Sequence, residues 1–151
     1  MRSITKTTET PPSPGYLLQH LAFTLMKQTD VILLEQIGIG FSQYKILRSL
    51  QHQDSVQQKQ IAQYLGQTEA SISRQIHVLE GQGLIKNVVR KENRREHTIT
   101  LTDKGEKLLD HAVIIVTKYH APMFEHLSRK EQESLQTILE KMYEVTHGKV
   151  A

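Results

Sequence analysis

The chain has 151 residues, of which 38% are apolar and 23% are charged, and it contains no cysteine. This length suits one compact domain and is short for two independent ones. The lack of cysteine excludes disulfides, thiolate catalysis and the commonest structural zinc sites. No apolar run approaches the roughly 20 residues that a membrane-spanning helix requires, so we predict a cytoplasmic protein without a membrane partner.

The positive charge is concentrated in the central third of the chain. The formal net charge is +3, and residues 55–102 hold seven basic and four acidic side chains, which leaves the remainder neutral. A local basic excess of this kind favours a nucleic-acid partner more than the same charge spread evenly would.

The N-terminal part combines a polar segment with a long helix. Residues 1–13 are rich in threonine and proline without apolar periodicity, and we predict a flexible arm there. Ser13 followed by Pro14 is a typical helix start, and the long first helix is expected to end at the glycines of residues 38–40. Ser42 is expected to cap a second, shorter helix.

A helix-turn-helix is predicted between Ser55 and Gln82. Ser55 and Gln58 have the spacing of a capping box, so the third helix is expected to begin at Ser55. Gly66 suits the left-handed conformation that ends a helix, and Thr68 can cap a fourth helix that runs to about Gln82. Two helices joined by so short a turn form a helix-turn-helix.

A hairpin is predicted after the fourth helix. The apolar period changes from helical to two over residues 84–90 and 97–102, which is typical of paired strands. The intervening residues 90–96 are polar and mostly charged, so the tip should project into solvent or onto a partner.

Two further helices complete the prediction. Thr102 and Asp103 can cap a fifth helix, which is expected to end or kink at Pro122, and Ser128 with Glu131 forms a second capping box. The first and the last two helices carry more apolar surface than a small lobe can bury, which predicts pairing with a second subunit. The expected fold is mainly α with a small β-hairpin wing. An arm over residues 1–13 precedes one domain over residues 14–151. Within this domain the winged helix-turn-helix DNA-binding lobe spans residues 41–102, and helical dimerisation regions span residues 14–40 and 103–151.

The fourth helix is predicted to have one apolar and one polar face. With Ile72 toward the core, Ile76 and Leu79 fall within about 40° of it at 100° per residue. Small residues on the opposite face let a helix sink into the major groove, hydroxyls reach phosphates or base edges, and arginine binds guanine in bidentate fashion. We therefore predict contacts with double-stranded DNA from Gln67, Thr68, Ala70, Ser71, Ser73, Arg74 and His77.

The hairpin tip adds a second basic surface, formed by Arg90, Lys91, Arg94 and Arg95. A projection of this kind beside a recognition helix is typical of a wing that inserts arginine into the minor groove. A polar helix face or a charged tip alone is an ordinary solvated surface. Their combination favours DNA binding.

Four segments resemble the MarR family of bacterial regulators. The most specific resembles the family's wing and the leucine-threonine-x-x-glycine sequence that leads into its fifth helix. The four segments are Tyr16-Leu17-Leu18, Ser42-Gln43-Tyr44-Lys45-Ile46-Leu47, Ile61-Ala62-Gln63-Tyr64-Leu65-Gly66 and Arg94-Arg95-Glu96-His97-Thr98-Ile99-Thr100-Leu101-Thr102-Asp103-Lys104-Gly105.

The resemblance implies a homodimer joined through the first and the last two helices. Its recognition helices would meet successive major grooves of a near-palindromic operator, and the protein would be a repressor released by a small, often aromatic and anionic effector. The family pattern has aspartate where this chain has Asn93, two residues before Arg95. Asparagine can still donate and accept hydrogen bonds there, but it braces the arginine without charge.

Three functions other than DNA binding are compared with the sequence. His111 and His120 are about 13 Å apart by helical rise, too far to bind one ion directly, although a metal site that also uses His20, His126 or Glu125 stays open as an alternative. The chain has no His-Glu-x-x-His motif and no phosphate-cradling glycine loop, so neither an enzyme nor a cofactor site is predicted. A winged helix used for contact with another protein is the third alternative.

Arg95→Ala tests the predicted wing. Loss of this side chain should weaken operator binding, because a minor-groove contact is lost, while the dimer stays intact. Fluorescence anisotropy with labelled operator DNA and sedimentation of the free protein check the two halves. Wild-type affinity at physiological salt would refute the role of Arg95.

Overall fold

The computed structural model describes residues 11–89 and 97–147 of the chain. They divide into two compact units, and the boundary along the chain follows Ala112, inside a helix. In chain order the elements are α1 (Pro14–Ile37), α2 (Phe41–Leu50), β1 (Val56–Gln57), α3 (Gln58–Leu65), α4 (Glu69–Gly81), β2 (Ile85–Val89), β3 (His97–Leu101), α5 (Asp103–Glu125) and α6 (Arg129–His147). In these ranges no helix is long and apolar enough to cross a membrane.

The first unit contains an antiparallel sheet in the order β1-β3-β2. β2 and β3 pair from Ile85 with Leu101 to Val89 with His97, which confirms the predicted hairpin. β1 was not predicted, and it pairs Val56 with Ile99 on the other edge of β3.

The core of the first unit lies between this sheet and helices α2, α3 and α4. Its members are aliphatic, and each exposes 3% of its surface or less; they include Ile46, Leu47, Leu50, Ile61, Ile72, Ile76, Leu79, Leu84, Ile85 and Ile99. Burial of such side chains is the main favourable term in folding, at roughly 25 cal/mol for each Å² removed from water. Three helices and a sheet therefore share one apolar centre.

The start of α2 differs from the prediction. Gly40 is its N-cap, and Ser42 lies inside the helix. The backbone amide of Phe41 donates to Asp30 Oδ1 of α1 at 2.7 Å, and that of Gly40 donates to Gln43 Oε1 at 3.0 Å. Because these side chains bind the amides at the start of the helix, a serine cap is not needed. The predicted cap at Ser42 is therefore wrong.

The start of α3 also differs. Val56 and Gln57 form β1, so the helix begins at Gln58 rather than at Ser55. Gln60 Oε1, not the Ser55 hydroxyl, takes part in the cap, because it accepts the amide hydrogen of Gln57 at 3.0 Å. The end of α3 is as predicted, with Gly66 in the left-handed conformation at a φ of 61°.

The end of α4 is hydrogen-bonded to the start of α5, and we call this set of contacts the α4–α5 clamp. Three successive backbone carbonyls take part. Gln82 O accepts from Lys104 Nζ at 2.7 Å, Gly83 O accepts from the Thr102 hydroxyl at 2.7 Å, and Leu84 O accepts from the Thr102 amide at 3.1 Å. The base of the hairpin lies at this clamp, because β2 follows Leu84 and β3 precedes Thr102.

The second unit comprises the later part of α5 and α6. The predicted capping box of α6 is confirmed, with Ser128 N donating to Glu131 Oε2 at 2.8 Å. Hydrogen bonds from Ser128 also hold the pKa of Glu131 below its usual value. Of the two predicted outcomes at Pro122, an end or a kink, the end is wrong, because α5 continues to Glu125. A proline this close to the end removes one backbone donor and leaves only one turn to disturb.

Gly105→Ala tests the packing of the clamp. A Cβ at Gly105 would lie 1.9 Å from Leu84 O, so the backbone of one element must move. The free energy of unfolding should fall by about 3 kcal/mol or more. Urea unfolding followed by circular dichroism, at one fixed protein concentration, measures the change.

Gly81→Ala is the matched control. A Cβ there meets nothing within 4 Å, and alanine favours helix over glycine, so stability should rise by up to about 1 kcal/mol. Equal effects of the two substitutions would contradict the close approach at Gly105.

Candidate nucleic-acid interface

The rotation of α4 about its own axis is set by three buried side chains. Ile72 and Leu79 are fully buried and Ile76 is 1% exposed, which confirms the predicted stripe. Since successive residues on a helix are 100° apart, this stripe determines which side chains face away from the core.

The opposite face of α4 is open to solvent. Ala70, Ser73, Arg74 and His77 are all exposed there. Among the residues that the structure describes, Arg74 makes no hydrogen bond and no ion pair. Its five N–H donors are therefore available to a ligand such as a guanine edge or a phosphate.

Two of the seven predicted contact residues are less accessible. Gln67 and Ser71 are half-buried, and the Ser71 hydroxyl lies 3.4 Å from Gln67 Oε1. This contact joins the turn to the first turn of α4. The structure thus places five of the predicted residues on the exposed surface and these two at its edge.

Thr68 has a structural task at the start of α4. It is the N-cap, and its hydroxyl accepts the amide hydrogen of Ser71 at 3.1 Å. The next residue, Glu69, is exposed and was missed by the prediction. Its carboxylate repels phosphate but can accept a hydrogen bond, such as the one that cytosine N4 donates. The Glu69 side chain therefore suits a base edge better than a phosphate.

Val78 is a second residue that the sequence prediction missed. It is 46% exposed and lies about 40° from Arg74 around the helix. The signal was present in the sequence, since an apolar residue four positions after Arg74 must share its face. A valine beside an arginine suits a thymine methyl next to a guanine.

Three exposed cations of this lobe have no carboxylate partner among the described residues. Lys59 of α3, Arg74 of α4 and Lys86 of β2 are exposed. The ion pair found in the described ranges joins Arg129 to Glu133 on α6 and involves none of them. Unpaired cations of this kind neutralise DNA phosphates.

The strands that flank the predicted wing are paired. The described register of β2 and β3 includes Val89 with His97. The predicted wing residues, Arg90, Lys91, Asn93, Arg94 and Arg95, all lie outside the residues that the structure describes.

The lobe also has an open groove of about 460 Å³, lined in part by Arg48, Gln60 and Tyr64. Arg48 carries the only formal charge among its lining residues, and its guanidinium donates to Gln51 Oε1. One positive charge beside a tyrosine suits a small anion.

The histidines do not form a metal centre in the described ranges. No three His, Asp or Glu residues there lie close enough to hold one ion. His120 is partly buried, and desolvation lowers its pKa below the usual value.

Comparison with known proteins gives a consistent result. The family model described as MarR family matches residues 41–97. An uncharacterized HTH-type transcriptional regulator of Bacillus cereus is 26% identical over 117 residues, which cover 77% of this chain and 78% of that protein.

Two solved structures contain DNA. The Staphylococcus aureus MepR–DNA complex matches with a TM-score of 0.73 and 28% identity, covering 89% of this chain and 99% of that one. The transcriptional repressor CouR, bound to a 23-mer DNA duplex, matches with a TM-score of 0.74 and 25% identity, covering 86% of this chain and 92% of that one.

Proposed function

We propose that this chain is a transcriptional regulator of the MarR family, which binds a palindromic operator as a homodimer and represses transcription until a small molecule releases it. Members of this family are regulators and not enzymes. One observation carries the proposal: α4 buries Ile72, Ile76 and Leu79 and presents on the opposite face Arg74, which has no ion-pair partner among the described residues.

We assign DNA reading to the exposed face of α4. Arg74 would bind a guanine edge in the major groove, and Val78 would contact a neighbouring thymine methyl. Arg90, Lys91, Arg94 and Arg95 would reach the adjacent minor groove from the wing, with Asn93 bracing Arg95. The matches to MepR and CouR, whose structures contain DNA, support a DNA partner. Such a regulator works where bacterial DNA lies, in the cytoplasm.

Exposed apolar side chains support a homodimer. On α1, Tyr16, Leu17, Leu21 and Phe23 are each between 46% and 55% exposed. On α6, the exposed apolar side chains include Ile138, Leu139, Met142 and Tyr143. Several large apolar side chains exposed on the same helix are typical of surfaces that a second subunit covers.

Two-fold symmetry would determine the form of the operator. A symmetric dimer presents two copies of α4, so each half-site is read in the opposite direction and the whole site is a near-palindrome. For recognition helices in successive major grooves, the half-site centres lie about 10 base pairs apart.

The ligand response rests on family resemblance and on the groove beside Arg48. The groove could hold a small aromatic anion, since the guanidinium supplies charge and Tyr64 supplies a ring. Repression is supported by the match to CouR, which is a transcriptional repressor.

Arg74→Ala tests the reading face. Loss of a bidentate guanine contact should weaken operator binding by about 1–3 kcal/mol and relax discrimination against scrambled DNA. Arg129→Ala on α6 removes the same charge from another exposed helix and serves as the control. Fluorescence anisotropy measures the ratio of the affinities for operator DNA and scrambled DNA. An unchanged ratio in Arg74→Ala would contradict the assignment.

Leu17→Glu combined with Leu21→Glu tests the dimer. Carboxylates on this face of α1 would have to lose water in a subunit interface, so the protein should become monomeric at micromolar concentration. Val88→Glu alters a side chain on β2 that is 54% exposed and should leave the dimer intact. Sedimentation equilibrium gives the masses, and a double variant that sediments like the wild type would exclude this face from the interface.

A further inference from the structure

Lys104 lies in an unfavourable place for its own helix. It is in the first turn of α5, near the positive end of the helix dipole, where a cation is disfavoured. Its ammonium group donates to Gln82 O at 2.7 Å, at the carboxyl end of α4. A cation is favoured at that end, so the local cost in α5 is offset by a gain in α4.

The position of this contact connects it to DNA reading. Gln82 is the C-cap of α4, and Leu84 leads directly into β2. The amide of Gln82 donates to Val78 O at 3.0 Å and that of Gly83 donates to Glu80 O at 2.9 Å, so Lys104 extends the hydrogen bonding of the last turn of α4. Lys104 is therefore one of the contacts that join the end of α4 to the start of α5.

We propose that Lys104 is a positioning residue for DNA reading, which holds the carboxyl end of α4 against the start of α5, beside strands β2 and β3, without touching DNA. The proposal rests on the DNA-binding function proposed above. It assigns to Lys104 a role different from that of Lys59 and Lys86, whose charges have no ion-pair partner in the described ranges. The Lys104 ammonium is already bound to Gln82 O.

The test compares Lys104→Met with Lys107→Met. Lys107 is exposed on the same helix and makes no hydrogen bond among the residues that the structure describes, so the two variants lose the same charge. Lys104→Met should weaken binding to specific operator DNA about fivefold, with Lys107→Met unchanged. Lys104→Arg should restore binding, because a guanidinium also donates to a carbonyl.

Salt dependence separates positioning from phosphate contact. If Lys104 only positions α4, the slope of log affinity against log salt concentration stays at the wild-type value in Lys104→Met. If Lys104 contacts a phosphate, the slope becomes less steep by about 0.9 in Lys104→Met. That change would overturn the proposal, and so would equal affinities of the two methionine variants.

Amide hydrogen exchange on the free protein supplies a readout independent of DNA. The amides of Gln82, Gly83 and Thr102 should exchange about fivefold faster in Lys104→Met than in Lys107→Met. Equal exchange in the two variants would overturn the role of Lys104. The two proposals are tested by different results. A wild-type protein that binds no DNA would overturn the proposed function. A wild-type protein that binds DNA, with no difference between the two methionine variants, would overturn only the role of Lys104.

Discussion

Burial of one aliphatic stripe on α4 is the constraint on which the remaining structure depends. Ile72, Ile76 and Leu79 lie in the shared core of α2, α3, α4 and the sheet, and they expose at most 1% of their surface. Because neighbouring helical positions differ by 100°, a shift of one residue would rotate the polar face by 100° and turn a core aliphatic side chain away from the core. The cost of such a shift makes the orientation of the polar face a consequence of core packing.

The two ends of α4 are held by different kinds of contact. At the start, Thr68 caps the helix after the glycine-containing turn. At the end, the α4–α5 clamp binds the carbonyls that lead into the hairpin. The exposed face between these ends has no internal partner for Arg74 among the described residues. A helix fixed at both ends and free on one face loses little conformational freedom on binding, which favours specific recognition.

Local sequence signals predicted most of the fold, and interactions between distant residues account for the errors. Thr68, Gly66 and the α4 stripe act within a few residues, so their patterns were sufficient. The strand at Val56 depends on Ile99, and the start of α2 depends on Asp30 of α1. Neither partner lies within the few residues that a capping pattern covers. The contact of Lys104 was missed for the same reason, since its carbonyl partner is 22 positions away. Five of seven predicted α4 contact positions are exposed, whereas the wing residues lie outside the described ranges.

We propose that this lobe reads DNA with α4 and the wing. Hydroxyl-radical footprinting of the purified protein on DNA upstream of its own gene tests it most directly, with affinity measured across a range of salt concentrations. We expect two protected regions centred about one helical turn apart, and an affinity that falls steeply as salt rises. Absence of protection at low salt, or binding that is insensitive to salt and survives removal of the basic wing, would contradict the account and favour contact with another protein.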